Sequence, residues 1–226
     1  MEKYILLGGK WGWSSYELGE DAEKKIPSTN YADCWNIPYI NLCHRIFNNE
    51  EMVGYLNMNK KTVGRKARLP VIWFWESGAF FDIKELSQAT DFFEAYTQYQ
   101  RDMQERAIAE LGDRKTLIIG ALSDPPADGW PDNIKILSTS CQTHLNKLAG
   151  TNIQNLPYST IKDDLYNQSI KPSKQLAYLM FDWKKSVNRW TELGYFTDIH
   201  PTKKFIELFA KETEKEITEF INNSQE

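Results

Sequence analysis

Short, continuously apolar runs alternate with amphipathic stretches along the chain. Residues 4–7, 69–75 and 116–122 form the three clearest runs, and residues 134–137 form a weaker fourth. A run of this length is typical of a strand that is buried on both faces, as in a parallel sheet. Glycine-rich or polar residues follow each of the first three runs, which predicts loops at the C-terminal ends of the strands.

Helical spacing of apolar residues is found between and after these runs. It predicts helices over residues 33–47, from Ile83 to a stop at Gly112, over 172–193 and over 202–221. Residues 20–32 are polar and are predicted to form a loop, whereas residues 52–56 are predicted to form a short strand. Residues 139–171 show no clear pattern.

This alternation of strand, loop and helix predicts the fold class. It is typical of an α/β protein, a three-layer α/β/α sandwich with a mostly parallel sheet of about five strands, as in flavodoxin-like folds. No repeat, low-complexity tract or linker interrupts it, so residues 1–226 are interpreted as a single domain. Ligands of such sheets bind at the carboxyl ends of the strands, where the predicted loops lie.

A pair of chemically useful residues stands directly before the predicted last helix. Asp198 and His200 are two apart, and Pro201 follows. The residue before a proline is disfavoured in the helical region, so His200 is expected in a loop at the start of the helix. A histidine held there beside a carboxylate can act as a general base. The alternative interpretation is a structural motif that only begins the helix.

The loop after the first strand is the second candidate. Gly8, Gly9 and Lys10 follow the apolar run, but the spacing over residues 8–15 is neither that of a phosphate-binding loop nor that of a dinucleotide-binding fingerprint. We therefore expect no cofactor. Lys10 is interpreted either as an ordinary solvated lysine or as a contact for an anionic ligand.

Composition narrows the classes of partner. The net charge is −4 and the basic residues are scattered, which argues against a nucleic-acid partner. Three cysteines without a CxxC pair predict neither a disulfide framework nor a metal site, and they favour a reducing compartment. No segment has the pattern of a signal peptide or a membrane span. We expect a cytoplasmic protein with no membrane partner, and the oligomeric state stays open.

Taken together, these pieces resemble the SGNH/GDSL hydrolase family over the whole chain, through three short segments. The strand end with Gly8 and Gly9 is similar to the place of the family's Gly-Asp-Ser turn. Asn59–Gly64 is similar in spacing to the second block, whose glycine supplies an oxyanion N–H. Asp198 to Pro201 is similar to the C-terminal acid–His–Pro element. The resemblance implies an esterase or acylhydrolase with His200 and Asp198 as catalytic residues and Gly64 at the oxyanion.

The sequence departs from the family pattern at several positions. Lys10 stands where the nucleophilic serine belongs, and Gly9 stands where the preceding aspartate belongs. Asp198 is two residues before the histidine rather than three, and no Gly-x-Asn-Asp segment follows residues 69–75. An ammonium group cannot attack a carbonyl unless burial lowers its pKa towards neutrality. Ser14 and Ser15 are the candidate replacements for the nucleophile.

Two hypotheses follow for function. The first is an SGNH-like hydrolase of small-molecule esters whose nucleophile position is degenerate, so that its activity is weakened, altered or lost. The second is a non-catalytic module that binds a small anionic or carbohydrate-like ligand near Lys10 and Gly64. A nucleotide-handling protein has no motif in its favour. Trp11, Trp13, Trp73 and Trp75 could line a pocket for a sugar or ring in such a module, but aromatic residues beside strands are more often in the core.

Overall fold

A computed structural model describes most of the chain. The described residues are 3–9, 16–18, 25–27, 29–43, 49–58, 69–75, 91–153, 174–197 and 200–224. For some of them, His200 included, only the backbone is described. The other residues, and the predictions that fall on them, lie outside this description.

The centre of the fold is a parallel sheet of five strands. Its strands are β1 (Tyr4–Gly8), β4 (Tyr39–Asn41), β5 (Val71–Trp75), β6 (Thr116–Gly120) and β7 (Ile134–Ile136). Two small antiparallel pairs lie apart from it, β2 (Tyr16–Leu18) with β3 (Lys25–Pro27) and β8 (Phe196–Thr197) with β9 (His200–Pro201). The predicted fold class and the parallel sheet are confirmed.

Helices cover both faces of the sheet. They are α1 (Tyr31–Trp35), α2 (Asn49–Met58), α3 (Phe92–Leu111), α4 (Cys141–Ala149), α5 (Lys174–Glu192) and α6 (Lys203–Asn223). Alternate residues of a strand face opposite ways, so Ile5 and Leu7 pack with α2 and α3 while Leu6 packs on the side of the other helices. All these strand side chains are fully buried, which explains the continuous apolar runs.

The strand order identifies where a ligand is expected to bind. The order across the sheet is β4-β1-β5-β6-β7, so the chain first adds a strand on one side of β1 and then continues on the other. The direction of winding therefore reverses between β1 and β5. In doubly wound sheets the crevice outside the carboxyl ends of the strands at this reversal is the usual ligand site.

The helix predicted over residues 33–47 is wrong for residues 36–43, and residues 44–47 lie outside the described part of the chain. Helix α1 ends at Trp35 because Asn36 adopts a left-handed conformation with φ of 53°. The chain then extends into β4, where the N–H of Lys3 donates to the carbonyl of Pro38 at 2.8 Å and that of Leu42 to Leu6 at 2.9 Å. Backbone pairing with β1 forms this short edge strand, and its side chains carry little signal because they are only half-buried or exposed.

The strand predicted over residues 52–56 is also wrong, because these residues belong to α2. Met52, Val53 and Leu56 are buried together against the sheet, and their spacing of one and four matches one face of a helix. The tertiary contact of this face outweighs the strand propensity of its residues.

The predicted loop at residues 20–32 is interrupted at two points. Residues Lys25–Pro27 form β3, and α1 already begins at Tyr31. A reciprocal cap starts that helix: Asn30 Oδ1 accepts from the N–H of Ala32 at 2.9 Å, and Asp33 accepts from the N–H of Asn30 at 3.3 Å.

The predicted ends of the long helices agree better with the structure. Gly112 ends α3 with φ of 55°, and its N–H donates to the carbonyl of Ile108. Helix α5 ends two residues before Gly194, and Thr202 caps α6. In the described part of the chain no helix is long and apolar enough to cross a membrane.

Candidate functional site

The carboxyl ends of β1, β5 and β6, at Gly8, Trp75 and Gly120, form what we call the carboxyl edge of the sheet. At the end of β1 this edge has no side chains, because the chain there consists of Gly8 and Gly9. Both glycines are buried. Gly8 has φ of 152°, which side-chain-bearing residues rarely adopt. A ligand can approach the backbone closely at such a position.

Helix α6 runs antiparallel to the strands. At its C-terminal end, Lys115 Nζ donates to the carbonyl of Asn223 at 2.9 Å, and Lys115 lies just before β6, at the opposite edge of the sheet. Nearer its start, the ring of Phe209 contacts Tyr31 at 5.6 Å, and Tyr31 contacts Phe74 at 4.8 Å between ring centroids. Phe74 is the last residue but one of β5. The first turn of α6 therefore lies at the carboxyl edge.

The backbone of His200 is held at this level by the β8–β9 pair. At a rise of about 1.5 Å per residue, the first residue of α6 lies about 9 Å beyond Phe209 along the helix. The N–H of Thr202 donates to the carbonyl of Tyr195 at 3.0 Å, and Thr202 Oγ1 donates to that of Gly194 at 2.7 Å. The same hydroxyl oxygen accepts from the N–H of Phe205. Through these bonds Thr202 connects the residues before the β8–β9 turn, Gly194 and Tyr195, to the first turn of α6.

Only some of the predicted site residues belong to the described part of the chain. Gly8 and Gly9 lie at the carboxyl edge beside β5, and the backbone of His200 lies in β9, three residues before the first residue of α6. The remaining predicted site residues lie outside the described part of the chain: Lys10, Ser14, Ser15, Gly64 and Asp198. Trp73 and Trp75 are fully buried, so their expected place in the core is confirmed.

A chain of buried polar side chains, which no sequence motif indicates, lies behind the carboxyl edge. Trp75 Nε1 donates to Gln100 Oε1 at 2.8 Å, and Gln100 Nε2 donates to the hydroxyl of Tyr96 at 2.5 Å. Burial raises the pKa of Tyr96 to about 12, while the neighbouring side chains of Ser123 and Gln100 act in the opposite direction. The phenol is therefore neutral over the physiological pH range.

Next to this chain is a cavity of about 680 Å³, between α3 and α4 and below the loop that follows β6. We call it the α3–α4 cavity. Its walls come from three separate parts of the chain: Phe93, Tyr96, Thr97, Gln100 and Arg101; Asp124 to Ala127; and Gln142, Thr143, Asn146, Asn152 and Ile153.

The wall formed by the loop after β6 is tightly packed. A Cβ atom at Gly120 would lie 2.8 Å from Ser140 Cβ and 2.9 Å from the backbone oxygen of Ser123. The N–H of Gln142 donates to the carbonyl of Ala121 at 2.9 Å, which joins the start of α4 to the end of β6. Only glycine permits this approach, so the position of the wall depends on Gly120.

One charged pair closes the outer side of the cavity. Arg101 forms a salt bridge with Asp128 and also donates to the carbonyl of Asp128 at 2.8 Å. Gln104 Nε2 donates to that carbonyl at 2.6 Å and Gln104 Oε1 accepts from Arg101 at 3.1 Å. The guanidinium is thus engaged by the protein itself.

His144 lies on the other face of α4 and belongs to the core. Its ring is 5.7 Å from that of Phe209, and neither ring nitrogen has a hydrogen-bond partner among the described residues. Burial lowers the pKa of His144, which Glu212 opposes and Lys147 reinforces. Among the described residues no group of three or more His, Cys, Asp or Glu side chains could hold a metal ion.

The carboxyl edge thus offers two places for chemistry or binding. One is the strand reversal between β1 and β5, where β1 ends at Gly8. The other is the α3–α4 cavity, one strand further along. Comparison of the chain with protein-family models and with curated proteins finds no match.

Proposed function

We propose that the protein is a hydrolase of small-molecule esters, similar to SGNH hydrolases, with its site at the carboxyl ends of β1 and β5. The observation that carries the proposal is the direction of α6. Its first turn lies at the carboxyl edge, which supports a site at this edge that includes the residues just before the helix.

The proposed reaction is a two-step acyl transfer. Ser14 or Ser15 Oγ attacks the ester carbonyl, His200 takes the hydroxyl proton, and Asp198 orients the imidazole. The C–O bond to the alcohol then breaks, and the alcohol leaves with that proton. Water attacks the acyl group in the same way, which releases the acid and restores the serine.

Backbone N–H groups complete the proposed site. The oxyanion formed in each step needs donors that are already in place, and Gly8, Gly9 and Gly64 are the proposed sources. Lys10 follows Gly9 directly, and its ammonium favours substrates that carry an anionic group near the ester. Its presence at the strand end also predicts slow turnover, because no nucleophile stands there.

The second candidate function is a non-catalytic module for a small anionic or carbohydrate-like ligand. The α3–α4 cavity favours the carbohydrate-like ligand, since this pocket has a polar lining and none of its described lining residues is a proposed catalytic residue. For either function we propose a cytoplasmic location. In support, all three cysteines lie in the described part of the chain and none is in a disulfide.

Hydrolysis of short-chain aryl esters tests the first proposal. If His200 is the base, His200→Ala lowers the rate by about 10²–10⁴-fold. His44→Ala is the matched control, because this histidine has no part in the proposed site. Ser14→Ala and Ser15→Ala control each other, since only one of them is the nucleophile. A wild-type protein without activity, or an activity that His200→Ala leaves unchanged, would rule out the hydrolase.

Replacing Lys10 by serine tests the same site from the opposite direction. A serine at the strand end restores the family's nucleophile position. We expect Lys10→Ser to increase the esterase rate and His200→Ala to abolish the increase. If activity does not rise, the base and the oxyanion donors are not arranged around this position.

A further inference from the structure

The α3–α4 cavity has the dimensions of a small-molecule site. Its volume of about 680 Å³ falls within the range of roughly 300–1,000 Å³ that is typical of such sites. Gln100 and Gln142 form part of its lining, and they are only 5% and 2% exposed. The opening is bordered by exposed side chains, among them Thr97, Thr143 and Asn152.

The charged side chains of the lining do not favour a charged ligand over a neutral one. Among the described residues of the lining, Arg101 and Asp124 are the only basic and acidic side chains, and their charges are opposite. Arg101 is already held by Asp128, as described above. An anionic ligand would have to compete with that carboxylate for the guanidinium. A neutral ligand faces no such competition.

The hydrogen-bonding groups of the lining match hydroxyl groups. Amide and hydroxyl side chains make up much of the wall: Thr97, Gln100, Gln142, Thr143, Asn146 and Asn152. An amide side chain has two N–H donors and an oxygen acceptor, so it can bind a ligand hydroxyl in addition to a bond that it makes to the protein.

Several of these groups are fixed before any ligand binds. Gln100 is held by Trp75 and Tyr96. Asn146 Nδ2 donates to the carbonyl of Ile153 at 3.0 Å, and Asn146 Oδ1 accepts from the hydroxyl of Thr151 at 2.8 Å. A rigid lining loses little conformational entropy on binding.

Apolar surfaces stand between the polar groups. Phe93 comes from α3, Pro125 and Pro126 come from the loop after β6, and Ile153 follows α4. Sugar rings combine hydroxyl groups with apolar C–H faces, and this lining offers a partner for each. We propose that the α3–α4 cavity is a binding site for a neutral sugar, separate from the proposed ester site and independent of hydrolysis.

Saturation-transfer NMR and calorimetry with simple sugars test this inference. Glucose and N-acetylglucosamine are the neutral probes, and gluconate and glucosamine are their anionic and cationic counterparts. We expect saturable binding of at least one neutral sugar, at least about tenfold tighter than binding of the charged compounds. The same result is expected with the His200→Ala protein, which separates this inference from the proposed hydrolase.

Variants at the opening test whether the sugar binds in the α3–α4 cavity. Thr97→Trp fills the opening from an exposed position of α3 and is expected to weaken binding by at least about tenfold. Ala109→Trp is the matched control, exposed on the same helix and about 18 Å away along its axis at 1.5 Å per residue. Asn152→Leu is a second variant, expected to weaken binding without blocking the cavity. Circular dichroism confirms that each variant is folded.

The following results would overturn the inference. They are the absence of saturable binding by either neutral sugar, binding of a charged compound as tight as that of the neutral ones, and unchanged affinity in both Thr97→Trp and Asn152→Leu. Equal losses in Thr97→Trp and Ala109→Trp would also overturn it, because the effect would then not come from the cavity.

Discussion

Replacing Gln100 by leucine removes the middle of the polar chain that lies behind the carboxyl edge. Leucine is close to glutamine in size but has no polar atoms. The indole N–H of Trp75, which is fully buried, loses its acceptor, and the hydroxyl of Tyr96 loses the donor that lies 2.5 Å away. A buried polar group left without a partner costs about 1–3 kcal/mol. Tyr96 keeps its hydrogen bond to Ser123, so the indole N–H of Trp75 is the group left without its partner, and we expect Gln100→Leu to lower the free energy of unfolding by about 1–3 kcal/mol.

Urea unfolding followed by tryptophan fluorescence measures this change. The midpoint should fall while the dependence on denaturant stays the same, because the surface exposed on unfolding hardly changes. Gln98→Leu is the matched control on the same helix. Gln98 is exposed and donates to Asp102 at 2.8 Å on the helix surface, so its loss is expected to change the free energy of unfolding by less than about 0.5 kcal/mol.

A double-mutant cycle isolates the bond to the indole. Trp75→Phe removes the N–H donor, so Gln100→Leu should cost less in that background, with a coupling energy of about 0.5–3 kcal/mol. The loss should also be constant between about pH 6 and about pH 9, because burial raises the pKa of Tyr96 to about 12 and the phenol stays neutral. If Gln100→Leu costs no more than Gln98→Leu, the chain does not stabilise the fold and the reasoning is refuted.

Other substitutions test the packing around the site. Gly120→Ala is expected to lower the free energy of unfolding by about 1–3 kcal/mol, because its Cβ would lie 2.8 Å from that of Ser140, and thermal unfolding would show a change near zero if the wall could shift. Thr213→Val removes the acceptor of the Trp35 indole N–H at 3.3 Å, and chemical denaturation should show a loss of about 1–2 kcal/mol. Burial lowers the pKa of His144, so the unfolded chain binds the proton more readily and stability falls as pH drops below about 6.5. Unfolding curves from about pH 7.5 to about pH 5 should show a smaller fall for His144→Leu, and equal slopes would contradict this.

Strands and helices that are buried along a whole face could be predicted from the sequence alone. Val71–Trp75 is buried at every position, so its apolar run needs no help from the rest of the chain to be recognised. The boundaries of α6 could be predicted for a different reason. Pro201 excludes His200 from a helix, and the side chain of Thr202 accepts from the N–H of Phe205 as a cap does.

The elements that were misassigned owe their structure to contacts with distant residues. β4 is a strand because its backbone pairs with Tyr4 to Leu6, a contact that no local pattern reveals. Residues 52–56 carry apolar side chains that suit either a strand or a helix, and their fit against the sheet selects the helix. α4 was not predicted at all. It is a short helix, started by Ser140 and ended by Gly150 in a left-handed conformation.

The candidate site also has one part that could be predicted from the order of elements and one part that depends on contacts between distant residues. The predicted place of the site at the carboxyl edge depended on the order of elements, and the parallel sheet has that order. The α3–α4 cavity could not be predicted, because its walls combine residues between Phe93 and Ile153 that belong to no motif. Its amide side chains become a pocket only when the loop after β6 packs at Gly120.

The contacts that position the His200 turn make the activity assay easier to interpret. The turn is held by Thr202, through its bonds to Tyr195 and Gly194 and by its cap on α6, and none of these bonds involves an atom of the His200 side chain. His200→Ala therefore leaves them intact. A loss of esterase activity without a loss of stability then reports the imidazole itself. Lys10→Ser adds the complementary measurement, because a gain of activity that depends on His200 requires both groups to reach the same substrate.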